Sequence, residues 1–582
     1  MVINAHQIIK NIYEGNKKPF AVRIDETQSY TTLAERISVC LHEFDSAGLS
    51  AADRVMIVTS DESAAVSAFL AALLDGKVPT VISTDTPDKR LKSLVRHFDP
   101  SWILTDQVAP AWGNAAPVIT PDHTLPKKTG WFRRSSVHEH RQPSGAMSSK
   151  DVAYVLFTSG STSEPKGVAI SHGALGAQLS ELKMLFDYGS ESRIFNGLRL
   201  AHADGLIHGP LLAAAVNGTW LRPPVFTPTG IEDWLNLAAG FGSTHFICVP
   251  TIYQLIDQLA LHDDYFESTA MSVLQSVGAK LPSDLKTRIE KRFGRPMANH
   301  YGLTETVLSS LYNVPGSSCA GKGDVGRPIG IEARLEDTQG RDAEYGELLL
   351  RGPQVFNGYW HAPDLTMSVL KDGWLRTGDY ARREEDGSIS ITGRVKTAIN
   401  TGGLLVLPEE IDETLLAHAA VSEAATIGLP NDVFGEIVVS AVVLSSSINE
   451  CDLVAHCRGT LEPLKVPKHI VFLDTIPRGE IGKPQMAELR DIIVSHTSIE
   501  RRRGLQHNPL EGVIDVAARI FRVLPSSLSA ASSPDTTSSW DSYTHLSLIV
   551  EIERQFSCRL DTATVATVRS LEELAQAVSK NI

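Results

Sequence analysis

The sequence predicts a chain of mixed class, α/β and α+β: a large N-terminal domain of layered α/β sheets, a small mobile α+β subdomain, and a four-helix bundle at the C-terminal end. Three observations predict it. From Thr31 onward, segments with apolar residues at helical spacing alternate with short strand-like runs. Near Gly393 the text changes to closely spaced short strands and helices that end near Leu489. Beyond the charged stretch "SHTSIERRRGLQHNP", residues 495–509, the pattern is helical to the end.

Taken in order, "LAERISVCLHEF" (33–44) reads as an amphipathic helix, "RVMIVT" (54–59) as a buried strand, "SAAVSAFLAALL" (63–74) as a helix and "VPTVIST" (78–84) as a strand. Such alternation is the pattern of a largely parallel sheet covered by helices. Residues 126–150 are polar, basic and broken by Pro and Gly, so they read as a solvated connection. His138 and His140 within it read as side chains of that connection rather than metal ligands. The α/β text resumes with strand candidates "AYVLFTS" (153–159), "THFICVP" (244–250) and "GELLLRG" (346–352). The expected domains are 1–395, 396–490, a linker over 491–509, and 510–582.

With 582 residues the chain exceeds what one core supports. Its net charge of −14 gives no support to a nucleic-acid partner. The six cysteines form no C-x-x-C pair, which argues against a zinc site or a disulfide framework. No apolar run approaches a membrane span and no secretory signal is visible, so a soluble, cytoplasmic protein is expected.

One stretch carries chemistry. "YVLFTSGSTSEPKG" is a strand running into a loop of Thr158, Ser159, Gly160, Ser161 and Thr162, closed by Lys166. Glycine permits close approach, hydroxyls and backbone N–H groups donate to anionic oxygens, and the lysine neutralises charge, so a polyphosphate is the natural guest. A P-loop requires Gly-Lys-Ser/Thr opening a helix, whereas Pro165 precedes Lys166 and Gly167 follows it. Alone, such a loop is more often a plain turn.

Five further segments follow: "NHYGLTET" (299–306), "GELLLRGPQVFNGYW" (346–360), "WLRTGDYARREEDGSISITGR" (374–394), "GRVKTAINTGGLLVLPEEIDE" (393–413) and "PRGEIGKPQMAEL" (477–489). Together, over roughly residues 20–490, the set resembles the adenylate-forming enzymes: acyl-CoA synthetases, nonribosomal peptide synthetase adenylation domains and luciferases. Ser163 stands where that family's loop usually has glycine. The resemblance implies ATP and Mg2+ as cofactors, the loop and Lys166 on the outer phosphates, and Glu305 on the metal. It implies Gly278, Ala279, His300, Tyr301 and Gly302 around the nucleotide base, with Asp379 and Arg394 at the ribose. Lys483, Lys166 and Thr304 take the catalytic roles, Thr304 also binding nucleotide, and Lys396 is the hinge of the small domain.

The tail "SSWDSYTHLSLIVEIERQF" (538–556) places Asp541-Ser542 before a helix whose apolar face is Leu546, Ile549, Ile552 and Phe556. It resembles an acyl or peptidyl carrier domain, which implies 4′-phosphopantetheine on Ser542, a phosphopantetheinyl transferase as partner, and downstream enzymes that accept the acyl group. Tyr543 replaces the usual leucine, and a simple helix cap is the default reading of a lone Asp-Ser. The resemblance to the adenylate-forming enzymes implies that His202, Ala203, Leu206, Cys248, Gln275, Val277, Leu308 and Ser309 line the pocket for a carboxylic acid substrate. His202 stands where α-amino-acid enzymes place an aspartate, so an ordinary α-amino acid is disfavoured, because a buried ammonium needs a counter-charge. Asp204, two residues on, leaves that alternative open. "GRVKTAINTGG" keeps an acyl-CoA synthetase releasing acyl-CoA as the main alternative, and a non-catalytic nucleotide sensor is a third.

Overall fold

The computed structural model describes residues 2–581 except 25, 107–117, 120–140, 159–164, 225, 228–229, 268–269, 338, 396, 402–403, 432–434, 463, 479–483, 508, 522, 535, 538, 541, 557, 559 and 562–567. The chain divides into two units, Met1–Lys396 and Thr397–Ile582.

The first unit holds two kinds of sheet. A nine-stranded sheet runs in the order Arg327–Pro328, Leu311–Asn313, Met297–Tyr301, Val273–Ser276, His245–Cys248, Arg193–Asn196, Thr219–Leu221, Pro19–Val22 and Thr27–Ser29. Its six strands from Met297–Tyr301 to Pro19–Val22 are parallel, and antiparallel neighbours close both edges. A four-stranded parallel sheet is built on Arg54–Val58, with Val78–Val81 and Trp102–Thr105 beside it. Helix Glu62–Leu74, capped by Asp61 on the Ala64 amide, buries every residue from Ala64 to Leu74, as its uniformly apolar text requires.

The expectation of largely parallel pairing fails for the rest of this unit. Val152–Thr158, Lys166–Ser171 and Gly358–Tyr359 form an antiparallel sheet, and Glu332–Glu336, Tyr345–Arg351, Trp374–Arg383 and Ile389–Arg394 form another. The reason is connection length: seven residues between Thr158 and Lys166 cannot carry the crossover that parallel strands need. The connection read as solvated is anchored at its described end. Arg141 pairs with Asp45 at 2.7 Å and Asp75 at 3.2 Å, and the Ser144 amide donates to Asp75 at 2.9 Å.

In the second unit, Val421–Asn431 and Gly435–Leu444 form the long hairpin of a five-stranded sheet, joined by His469–Phe472 in parallel. Helices Pro509–Phe521, Ser542–Phe556 and Leu571–Asn581 share one apolar core containing Val513, Val516, Leu548, Ile552, Leu571 and Leu574. Among the described residues these three α-helices and the single turn Pro525–Ser527 stand where four helices were expected. The segment expected as a linker is helical: Met486–His507 continues unbroken, since it contains no proline, and Pro509 then starts the next helix.

Candidate active site

Thr158 and Lys166 face each other as register partners where the antiparallel hairpin opens into its loop. Ser159, Gly160, Ser161 and Thr162 lie outside the described residues. The ammonium of Lys166 stands 5.8 Å from the centroid of the Tyr359 ring. Tyr359 lies on the strand paired with Lys166–Ser171, opposite Val168, and its hydroxyl donates to Glu305 Oε1 at 2.8 Å. The Phe356 amide donates to the Glu305 carbonyl at 2.8 Å, so one segment holds Glu305 by backbone and side chain. Tyr359 lies within the motif at 346–360, where no local pattern distinguishes it from its neighbours.

Local geometry explains how Glu305 gets there. Strand Met297–Tyr301 ends at Gly302, where a Cβ would fall 1.8 Å from the Leu308 carbonyl oxygen, so only glycine fits. Thr304–Thr306 form a single turn, and Val307 follows at φ 68°, ψ −63°, with the Leu308 amide donating to the Thr306 carbonyl at 2.8 Å. That is a γ-turn of the rarer, strained hand, in a buried β-branched residue. The chain thereby reverses at once, and Ser310 N returns to the Tyr301 carbonyl at 2.8 Å.

On the same strand, Tyr301 OH donates to Asp379 Oδ2 at 2.6 Å, and Arg394 Nε meets Asp379 Oδ1 at 2.8 Å. Asp379 and Arg394 are register partners on neighbouring strands, and Asp379 is 2 % exposed. Burial, and then the Asp379 carboxylate, hold the Tyr301 phenol well above its usual range, so it remains a donor. Gly278, at φ +77°, and Ala279 are exposed just past strand Val273–Ser276, and a Cβ on Gly278 would come within 3.7 Å of Asp204 Oδ2.

His300 does not join Tyr301. Consecutive strand residues point to opposite faces, and the His300 ring is buried, stacked on Phe186 at 5.0 Å and 3.4 Å from Ser309 Oγ through Nδ1. It lies beside Ser309, one of the acid-pocket candidates. Of those candidates, Ala203, Leu206, Cys248, Gln275, Val277, Leu308 and Ser309 are buried, whereas His202 is exposed at the start of the short helix Ala203–Leu206. Cys248 and Gln275 lie on adjacent parallel strands, and Gln275 donates to Tyr188 OH at 2.9 Å. Burial alone pushes the Cys248 thiol far up, which removes it as a nucleophile.

Lys396 and Lys483 lie outside the described residues, as do Asp541, His138 and His140. Ser542 opens helix Ser542–Phe556. Among the described residues no three His, Cys, Asp or Glu side chains gather as a metal cage. One carboxylate, Glu305, beside a phosphate-loop hairpin suits Mg2+, which commonly takes one or two carboxylates and its remaining ligands from substrate phosphates and water. No helix among the described residues is long and apolar enough to cross a membrane.

Comparison with known proteins agrees with this layout. Residues 10–360 match the family model of the AMP-binding enzymes, and residues 410–483 match the model of the AMP-binding enzyme C-terminal domain. The chain is 29% identical over 490 residues to the sulfoacetate–CoA ligase of Cupriavidus necator, covering 81% of this chain and 94% of that one. It is 31% identical to the oxalate–CoA ligase of Arabidopsis thaliana, over 60% of this chain and 68% of that one. Among solved structures, ATP-bound MatB from Rhodopseudomonas palustris superposes with a TM-score of 0.74 at 25% identity, covering 84% of this chain and 99% of that chain. The chain belongs to the AMP-binding enzyme family, as an ATP-dependent ligase of acids to thiols.

Proposed function

We propose that the protein joins a carboxylic acid to AMP, releasing pyrophosphate, and then passes the acyl group to the 4′-phosphopantetheine thiol of its own carrier domain at Ser542. The small domain is taken as 396–490 and the carrier as 510–582. A carboxylate lacks a usable leaving group, and the adenylate supplies one. The task of the protein is positioning and charge compensation at phosphorus. The clasp of Lys166, Tyr359 and Glu305 is the observation that carries this reading, because it brings a cation and a metal-seeking carboxylate to the mouth of one loop.

In this reading Lys166 and the hydroxyls of Ser159, Ser161 and Thr162 take the β- and γ-phosphates, with Thr158 and Gly160 shaping the loop. Mg2+, held through Glu305, would neutralise charge between those phosphates. Asp379, oriented by Arg394 and Tyr301, accepts from the ribose hydroxyls. Gly278, Ala279 and Gly302 leave room for the base, and Thr304 contacts the α-phosphate. Lys483 bridges the acid carboxylate and that phosphate, and Lys396 is the hinge that withdraws it when the thiol attacks. A helix N-terminus at Ser542 suits a phosphodiester. A phosphopantetheinyl transferase and separate acceptor enzymes would complete the cycle, in the biosynthesis of a natural product.

Release on free CoA is the second reading, favoured by relatives that are CoA ligases. An α-amino acid substrate would need Asp204, whose carboxylate stands near Gly278, as its counter-charge. The discriminating experiment gives pantetheinylated protein ATP, an exchange-competent acid and CoA. Acyl mass on Ser542 is the expected result, and acyl mass confined to free CoA refutes self-loading.

A further inference from the structure

Behind Gln275 and Ser309 lies a group of buried polar rings that no step of the proposed reaction uses. His208 is 0 % exposed and His300 is 4 % exposed, and their ring centroids are 5.8 Å apart. Each has one nitrogen engaged: His208 Nε2 with Tyr188 OH at 3.1 Å, and His300 Nδ1 with Ser309 Oγ at 3.4 Å. Among the described residues, His208 Nδ1 and His300 Nε2 have no hydrogen-bond partner. A buried donor or acceptor left unmade costs about 1–3 kcal/mol, so two on neighbouring rings are an expensive arrangement unless something completes them.

The chemistry of the missing group follows from the rings. Burial holds His208 at about 3 and His300 well below the usual imidazole range, so both are neutral. The ionisable group acting on His300 is His208, and that acting on His208 is His245, another imidazole. Each neutral imidazole leaves one nitrogen that donates or accepts according to its tautomer, so the pair can meet a hydroxyl or a carbonyl, but it provides no counter-charge for an anion or an ammonium. Aromatic rings crowd the pair: Tyr188 stacks on His245 at 3.9 Å, and Tyr312 meets His300 edge-on at 5.1 Å, which disfavours a long alkyl chain beside them.

We propose, building on the acid-activating function above, that the substrate is a short carboxylic acid bearing an uncharged hydroxyl or carbonyl group near its far end, and that His208 and His300 bind that group. The test is pyrophosphate exchange by the full-length protein on matched acids: 3-hydroxybutyrate and 4-oxopentanoate against butyrate and pentanoate, with succinate and hexadecanoate added. The hydroxy or oxo acid should exceed its alkyl partner in kcat/KM by tenfold or more. His300→Phe and His208→Phe should bring that ratio toward one, while His300→Gln, which keeps a donor and an acceptor, should retain part of it. Equal or better turnover of the alkyl acids, of hexadecanoate or of succinate overturns the inference from the wild-type protein alone. Exchange with no acid at all overturns the activity itself, and this inference with it.

Discussion

Glu181 makes the most quantitative claim on the large unit. It is 5 % exposed on helix His172–Leu185, accepts from Gln354 Nε2 at 2.6 Å, and sits so close to Gly330 that a Cβ there would fall 2.2 Å from its Oε2. Burial outweighs the hydrogen bonds from Tyr312 and Gln354, and raises its carboxyl from 4.5 to about 8. Between those values the folded protein keeps a proton that the unfolded chain has released, so stability is greatest at low pH and falls as pH rises through the window. At about 1.4 kcal/mol per pH unit, the loss between pH 5 and pH 8 is roughly 3 to 4 kcal/mol. Glu181→Gln keeps the shape and cannot ionise. Urea unfolding followed by tryptophan fluorescence, at intervals from pH 5 to pH 8, should show the variant gaining on the wild type by that amount. Parallel profiles, within about 0.5 kcal/mol, would refute an uncharged Glu181 in the folded state.

Lys483→Ala should slow pyrophosphate exchange about a thousandfold, the equivalent of roughly 4 kcal/mol for one lost charge contact, while calorimetry finds ATP affinity changed less than threefold. Tyr359→Phe removes the donor on Glu305 and keeps the ring beside Lys166, so the Mg2+ concentration that half-saturates ATP binding should shift several-fold, with binding in EDTA unchanged. Gly302→Ala sets a methyl 1.8 Å from the Leu308 oxygen and should lower exchange at least a hundredfold by displacing Glu305 and Ser309 together; near-normal exchange would refute the close approach.

Much of the architecture is legible from periodicity, because buried α/β text is apolar at two distinguishable spacings. Helix Glu62–Leu74 and strand Arg54–Val58 appear where their patterns place them. Pairing direction is not written in a single strand, and the antiparallel sheets become evident only once loop lengths are set against the crossover requirement. The charged residues 495–507 lie within helix Met486–His507, because a polar stretch without proline forms a helix as readily as a linker. At the site, motif order indicated Glu305, Tyr301 and Asp379. The Tyr359 contact and the His208 and His300 pair depend on long-range folding that brings together residues about 54 and 92 positions apart, beyond the reach of any local pattern.

The alternation at the end of strand Met297–Tyr301 has a consequence for how selectivity can change. In the function proposed above, one side of this strand end faces the nucleotide and the other the acid, so the two duties would be mutationally separable at adjacent codons. Retuning substrate choice through position 300 leaves the phenol at 301 and its carboxylate untouched. A scaffold arranged this way can diversify its diet without relearning how to handle its energy source.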